Sequence, residues 1–197
     1  MFTYFIQFGI VASVLACASF YFVGIIRGKV QPVLATWLLF LFGTVLSILT
    51  NFAETGWDGL MANSFNLIDT FAVMFLFCVM LLRKNVRKTF TAFEKYCIGA
   101  VVLVFAGWIF SGENVVAHLA IQVIFTIAYL PTFAHMWQAK SNTESLPMWC
   151  FACLAPVFGL VEPLRSGAFL PLVYNLRTVI STFLVILLIL RIKYRTK

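Results

Sequence analysis

The sequence has few charged residues: they make up 11% of its 197 positions, whereas 62% are hydrophobic. Soluble domains carry roughly 25% charged residues, and this chain has a mean hydropathy of +1.00. A membrane-spanning helix needs about 20 apolar residues, so seven of them would use about 140 residues and leave little for a soluble domain. The composition predicts an integral, multi-pass membrane protein, with the plasma or inner membrane favoured as its location.

The sequence also lacks the motifs of common enzyme classes. It contains no P-loop, no G-x-G-x-x-G fingerprint, no H-E-x-x-H and no G-x-S-x-G. Its five cysteines lie in apolar stretches and it has only two histidines, so Cys150 and Cys153 have no partners that would complete a zinc site. We expect no enzymatic activity, no cofactor and no metal, and an integral membrane enzyme ranks last among the functions considered.

Positive charge is concentrated in alternate connections between the apolar stretches. Twelve of the fourteen Lys and Arg residues lie there, namely Arg27, Lys29, Arg83, Lys84, Arg87, Lys88, Lys95, Lys140, Arg191, Lys193, Arg195 and Lys197. The opposite connections carry Glu54, Asp58, Glu113 and one cation, Arg165. By the positive-inside rule the N-terminus lies outside and the C-terminus is cytoplasmic. The basic residues are topology signals with some attraction to membrane lipid, and nucleic acid is not an expected partner.

A block of three apolar spans occurs twice. The predicted spans are 1–26, 30–53 and 64–82 in the first block, and 115–138, 146–164 and 169–190 in the second. Each block has a basic turn that leads to a proline, Arg27 to Pro32 and Lys140 to Pro147. Each also has Asn-Leu near the start of its third span. Three spans end on the side of the membrane opposite to the one on which they start. A second block in the same orientation therefore needs one extra crossing, and residues 96–112 supply it.

The blocks predict an all-α integral membrane fold with seven transmembrane helices, in which two parallel three-helix repeats are joined by a linker helix. The first repeat covers 1–83, the connection and linker helix cover 84–113, and the second repeat with its basic tail covers 114–197. The first span is uncharged and longer than a signal-peptide core, so we expect it to be retained. The sequence leaves homo-oligomerisation open.

Polar and charged side chains within apolar spans mark a candidate solute site. Asn66 and Asp69 lie on one face of the third span, since i and i+3 are neighbours on a helix. Asn175 and Arg177 lie at the corresponding place in the last span. A charged side chain in the hydrocarbon region is costly unless it is paired or hydrated. These positions therefore predict a polar cavity for a zwitterionic or hydrogen-bonding solute. The structural alternative is an ion pair, or charges that reach the outer interface.

Other residues are weaker candidates, each with a structural alternative. Glu162 is a candidate for proton coupling because burial raises the pKa of a carboxyl group, although it could instead be solvated at the headgroups. His118 is the second such candidate, or an ordinary interfacial histidine. The vestibule candidates are Asn51, Glu54, Gln122 and Arg165. Because proline interrupts helix hydrogen bonding, Pro131 and Pro156 are candidate hinges. An interfacial aromatic belt is expected from Trp37, Trp108, Trp137 and Trp149.

The fifth span and the turn after it resemble the PQ-loop motif. The run from Gln122 to Pro131 supplies the proline of a helix, and the run from Met136 to Ser141 supplies the basic-serine turn. The chain thus resembles the PQ-loop superfamily, which includes SWEET sugar transporters, lysosomal amino-acid exporters and the KDEL receptor. In SWEETs an asparagine in the last helix of each repeat lines the cavity, and Asn66 and Asn175 match it. The family's aromatic partners in the second helix of each repeat have no clear counterpart.

The resemblance implies a transporter of a small polar solute, a sugar or an amino acid, that works by alternating access between two three-helix bundles. The alternative is a receptor of the KDEL-receptor type. Such a receptor would capture a carboxylate-bearing peptide on Arg165, Arg177 and a titrating His118.

Overall fold

The structure is a computed structural model that describes residues 2–62, 64–84, 86–111, 114–167 and 169–195. Within these ranges the chain is all-helical and contains no strand. The helices are α1 (Phe2–Ile26), α2 (Leu34–Ala62), α3 (Ser64–Leu82), α4 (Ala92–Ser111), α5 (Asn114–Gln138), α6 (Leu146–Gly159), α7 (Val161–Ser166) and α8 (Phe169–Arg195). The predicted all-α class is confirmed.

Most of the helices are apolar and long. Five stretches are long and apolar enough to cross a membrane: Tyr4–Ile26, Ala92–Phe110, Leu119–Gln138, Leu146–Arg165 and Pro171–Arg195. The apolar helices Leu34–Thr50 and Asn66–Leu82 are shorter. Large apolar side chains such as Phe8, Leu82 and Phe110 are exposed on the outer surface, which is favourable where that surface meets lipid. These features are compatible with a multi-pass membrane protein.

The helices before and after α4 follow one packing order. In the first group α3 packs against both α1 and α2, and in the second α8 packs against both α5 and α6. Across the groups, α1 packs against α6 and α2 packs against α5. Helix α4 packs mainly against α5. The first helix of each group therefore contacts the second helix of the other group, and a central cavity lies between the groups.

Helix α4 begins earlier than its apolar run, which predicted a start at residue 96. Thr91 caps the helix, because its Oγ1 accepts a hydrogen bond from the Glu94 amide at 3.2 Å. In return Glu94 Oε2 accepts from the Thr91 amide at 2.7 Å. This capping box satisfies two amides that a helix N-terminus otherwise leaves without partners. Arg87 forms an ion pair with the same carboxylate, so the connection is fixed to the start of α4.

Replacing Thr91 with alanine is expected to lower the free energy of unfolding by about 1 kcal/mol, the usual value of an N-cap. For a chain of this size that corresponds to a fall in Tm of about 2–4 °C. Thermal unfolding of the detergent-purified protein measures the change. Thr89→Ala is the matched control, since the Thr89 side chain is exposed and only its backbone carbonyl accepts a hydrogen bond, from Arg87. Equal Tm values for the two variants would contradict the assigned cap.

The predicted sixth span consists of two helices, α6 and α7, that meet at Leu160. Pro156 lies inside α6, just before this junction, and Pro131 lies inside α5. Gly159 ends α6 beside α8, where an added Cβ would overlap the side-chain amide of Asn175. A side chain at position 159 would therefore have to displace the Asn175 amide, so glycine is favoured where α6 meets α8.

Candidate functional site

A cavity with a volume of about 90 Å³ lies between the two groups of helices. One water molecule needs roughly 10–15 Å³ on the same measure, so the cavity has room for several waters or a small solute. Its lining comes from α1, α2, α3, α5, α6 and α8. Both groups of helices therefore contribute to one site.

Two opposite charges face this cavity from corresponding helices. Asp69 lies on α3 and Arg177 lies on α8, and both line the cavity. They form no ion pair with each other within 4.0 Å. Among the described residues, the Asp69 carboxylate also has no hydrogen-bond donor. The two charges are therefore presented to the cavity rather than neutralised by direct contact.

The Arg177 guanidinium is held on three sides. Its Nε donates to Gln122 Oε1 at 2.9 Å and its Nη2 donates to Thr178 Oγ1 at 2.8 Å. The group lies over the Phe125 ring, 4.7 Å from the centroid, and 5.3 Å from that of Tyr174. Its Nη1 is buried without a partner within the described part of the chain. A buried donor left unsatisfied costs about 1–3 kcal/mol, so an acceptor that reached Nη1 after a movement of the side chains around it would be stabilised.

Aromatic side chains form a large part of the remaining wall, beside smaller apolar side chains. Phe40 and Tyr129 meet edge to face with centroids 4.8 Å apart, and Tyr129 lies 6.1 Å from Trp149. Trp37 lies 5.9 Å from Phe40 on the other side. Apolar walls with a few polar groups are typical of small-molecule sites. The cavity therefore combines two charged anchors with a surface suited to an apolar side chain.

Two of the tryptophans are not where the sequence placed them. Trp37 and Trp149 are 4% and 2% exposed and line the cavity, so their assignment to an interfacial belt is wrong. They stand near the start of the second helix of each group, in Leu34-x-x-Trp37 and Leu146-x-x-Trp149. The repeated Leu-x-x-Trp was the signal that could have found them.

The predicted asparagines lie close to the cavity but do not line it. Asn66 is buried and donates to Ser47 Oγ at 2.8 Å, while Asn175 is buried and donates to the Pro171 carbonyl at 2.8 Å. In both, Oδ1 has no partner within the described part of the chain. Asn66 thus joins α3 to α2, whereas the Asn175 side chain bonds within α8, and each keeps one unused acceptor.

The remaining candidates are placed as follows. Gln122, expected at a vestibule, instead orients Arg177. Arg165 is exposed on α7 and does not line the cavity. Pro131 and Pro156 are buried, and their role as hinges stays a prediction. The side chains of four residues lie outside what the structure describes: Asn51, Glu54, His118 and Glu162.

A buried carboxylate that sequence reasoning missed lies behind the two tryptophans. Glu144, in the connection between α5 and α6, is 4% exposed. Its Oε2 accepts from Trp149 Nε1 at 3.1 Å and its Oε1 accepts from the Tyr21 hydroxyl at 3.3 Å. Trp37 Nε1 in turn donates to the Tyr21 oxygen at 3.3 Å. We call these four residues the Glu144 network, and no charge pattern in the sequence separated Glu144 from an ordinary loop residue.

Among the described residues, no cluster of three His, Cys, Asp or Glu side chains could hold a metal ion. Comparisons with protein-family models, with curated proteins and with solved structures found no match for this chain. The cavity and its two charges are therefore the features that indicate what this protein binds.

Proposed function

We propose that this protein is a transporter for a small zwitterionic solute, an amino acid in the first instance, and that it works by alternating access. The observation that carries the proposal is the placement of Asp69 and Arg177. They come from α3 and α8, line one cavity and form no ion pair with each other within 4.0 Å. A zwitterion bound between them would supply each charge with its missing partner, which offsets the cost of charge within a membrane.

The binding mode follows from the donors and acceptors present. The solute carboxylate would accept from Nη1 of Arg177, the atom that has no partner. The ammonium would donate to the Asp69 carboxylate, and the solute side chain would lie against Phe40, Tyr129 and Trp149. An uncharged sugar would leave both Asp69 and Arg177 without a counter-charge. Asn66 and Asn175 are not part of this binding set, because they do not line the cavity.

The proposed architecture is seven spans in a three-one-three arrangement, with the N-terminus outside and the C-terminus cytoplasmic. It is supported by the packing order, in which α3 lies against α1 and α2 as α8 lies against α5 and α6. It is also supported by the separation of basic and acidic connections. Such parallel repeats are a known transporter design, and membership of the PQ-loop superfamily remains part of the proposal.

The transport step would be a rocking of α1–α3 against α5–α8 about the central site. The proposed hinges are Pro131 and Pro156, each inside a helix at the boundary between the groups. Such a movement exposes the bound solute first to one side and then to the other.

The proposal is tested by counterflow in liposomes that contain the purified protein. Vesicles loaded with an unlabelled amino acid are diluted into trace radiolabelled amino acid, and a transient accumulation of label is expected. Matched trials use glucose, a carboxylate without an amine, and an amine without a carboxylate, for which little or no accumulation is expected. Accumulation of glucose alone would overturn the zwitterion assignment. Saturable binding of carboxyl-terminal peptides without any flux would favour the receptor.

A further inference from the structure

The connection between α5 and α6 carries Glu144 into the bundle, where it meets both groups of helices. Asn142 fixes this turn, since its Nδ2 donates to the Glu144 carbonyl at 2.9 Å and its Oδ1 accepts from the Glu144 amide at 3.1 Å. The neighbouring Thr143 carbonyl accepts from the amide of Gln31 at 2.9 Å. The two basic turns of the blocks are thus joined at the same end of the molecule as Glu144.

The Glu144 network crosses from one group of helices to the other. Tyr21 and Trp37 belong to the first group, while Trp149 and Glu144 itself belong to the second. Trp37 and Trp149 are also the residues through which the network reaches the cavity wall. Opening the cavity towards the basic turns requires the two groups to separate at this end, and that separation breaks the hydrogen bonds to Glu144.

No cation contacts the Glu144 carboxylate among the described residues. The elements around it offer Tyr21 from α1, Trp37 from α2 and Trp149 from α6. Helix α5 offers His135, whose Nε2 lies 3.2 Å from Thr143 Oγ1. Cys17 of α1 is the further titratable group that acts on Tyr21. A buried carboxylate without a counter-charge favours its neutral form.

We propose that Glu144 is a proton-binding site that keeps the Trp37–Trp149 end of the cavity closed when it is protonated and allows that end to open when it is ionised. A neutral carboxyl group can still accept from Trp149, so the closed network survives protonation. An ionised one is desolvated without a cation, and separation of the two groups would give it water. The inference rests on the proposed transport function, since it assigns a movement to the same cavity.

The sign of the pH dependence follows from the closed state. Burial raises the pKa of Glu144 to about 7, against the lowering effect of its hydrogen bonds from Trp149 and Tyr21. A carboxyl group in water has a pKa of about 4.3. The closed state therefore binds the proton more tightly than the open, wet state. Closure is favoured fully below pH of about 4 and is lost as pH rises through about 7.

The proton balance is simple. The carboxylate takes one proton from water while the network is formed and releases it to the solution on the basic side when that end opens. No bond to the solute is made or broken. If the proton is taken up from the other side of the membrane, each cycle carries it in the same direction as the solute.

The test uses Cys17, a natural cysteine that lines the cavity, as a reporter of opening. The other four cysteines, Cys78, Cys97, Cys150 and Cys153, are replaced with alanine. Inside-out membrane vesicles are treated with a positively charged, membrane-impermeant methanethiosulfonate from pH 6 to pH 8, and the labelling rate is measured. Glu144→Gln serves as the permanently neutral comparison, because it changes the carboxyl group without changing the size of the side chain.

We expect the ratio of the wild-type rate to the Glu144→Gln rate to rise about tenfold between pH 6 and pH 8, as the ionised fraction of a group with a pKa near 7 does. Taking the ratio removes the pH dependence of the thiol itself. Glu144→Asp and His135→Gln should both keep the rise. A flat ratio, or loss of the rise in His135→Gln, would overturn the proposal.

No solute is needed for this labelling, so it can be separated from the transport proposal. A pH-dependent ratio without counterflow of any solute would leave the Glu144 site standing and reject transport. Counterflow of an amino acid together with a flat labelling ratio would support transport and reject the Glu144 site.

Discussion

Replacement of Arg177 by glutamine is expected to reduce amino-acid uptake by on the order of 100-fold at limiting solute. Hydrogen bonds to a charged group are worth about 1.5–3 kcal/mol, and every 1.4 kcal/mol is a factor of ten in affinity. The one bond from Nη1 to the solute carboxylate, together with the loss of its counter-charge, accounts for a fall of this size. Counterflow in proteoliposomes at a range of solute concentrations measures it as a rise in KM.

Arg177→Lys separates charge from geometry. Lysine keeps the positive charge but has no planar group to stack on Phe125 and Tyr174, and it cannot donate to Gln122 and the solute in the fixed directions of a guanidinium. An intermediate loss, about tenfold on the same scale, is expected. Gln122→Leu should act in the same direction more weakly, because it removes the acceptor that holds Nε.

The matched control is Arg27→Gln, which removes an exposed arginine that does not line the cavity. It should leave uptake unchanged. Uptake that survives in Arg177→Gln, with the protein monodisperse in detergent, would show that the solute is not bound through its carboxylate. Equal losses in both arginine variants would point instead to a general effect of positive charge on insertion.

The helices could be located from the sequence, because apolar length is set by the membrane and charges mark the ends. Their exact bounds depend on local chemistry that hydropathy does not contain. Helix α4 starts at Ala92 because Thr91 and Glu94 cap it. Helix α2 continues to Ala62 through Glu54 and Asp58, where the predicted span stopped at residue 53. The junction at Leu160 coincides with Pro163 of α7, which has no amide to donate to the Gly159 carbonyl four residues earlier.

The candidate site was predictable where a charge lay within an apolar span. Asp69 and Arg177 could be recognised because such positions are costly, whatever the fold. Whether Asn66 and Asn175 line a cavity depends on the rotation of α3 and α8, which one sequence does not determine. Trp37 and Trp149 follow a basic turn, where an interfacial position was the ordinary expectation. Glu144 could not be found, since only the folded connection carries it into the bundle.

Replacement of Asp69 by asparagine is expected to change what the cavity accepts. The variant keeps Arg177 and its unsatisfied Nη1, so it can still bind a carboxylate, but it offers no anion to an ammonium group. Uptake of amino acids should fall by about 10- to 100-fold, as for other charged hydrogen bonds. Counterflow of a monocarboxylate without an amine should be retained or increased. Glu94→Gln is the matched control, since Glu94 is bound by Arg87 and Thr91 and does not line the cavity.

The Asp69→Asn variant also shows whether Asp69 belongs to a solute site or to a structural charge pair. Removing one member of a buried pair leaves the other without compensation and is strongly destabilising, typically by about 3–5 kcal/mol. If Asp69 serves the solute, an added monocarboxylate should stabilise the variant by supplying the missing negative charge, because a ligand that binds the folded state raises Tm. If Asp69 serves only the fold, the variant should lose Tm and monocarboxylate should not restore it. Thermal unfolding with and without propionate, compared with propionamide as the uncharged control, decides between the two.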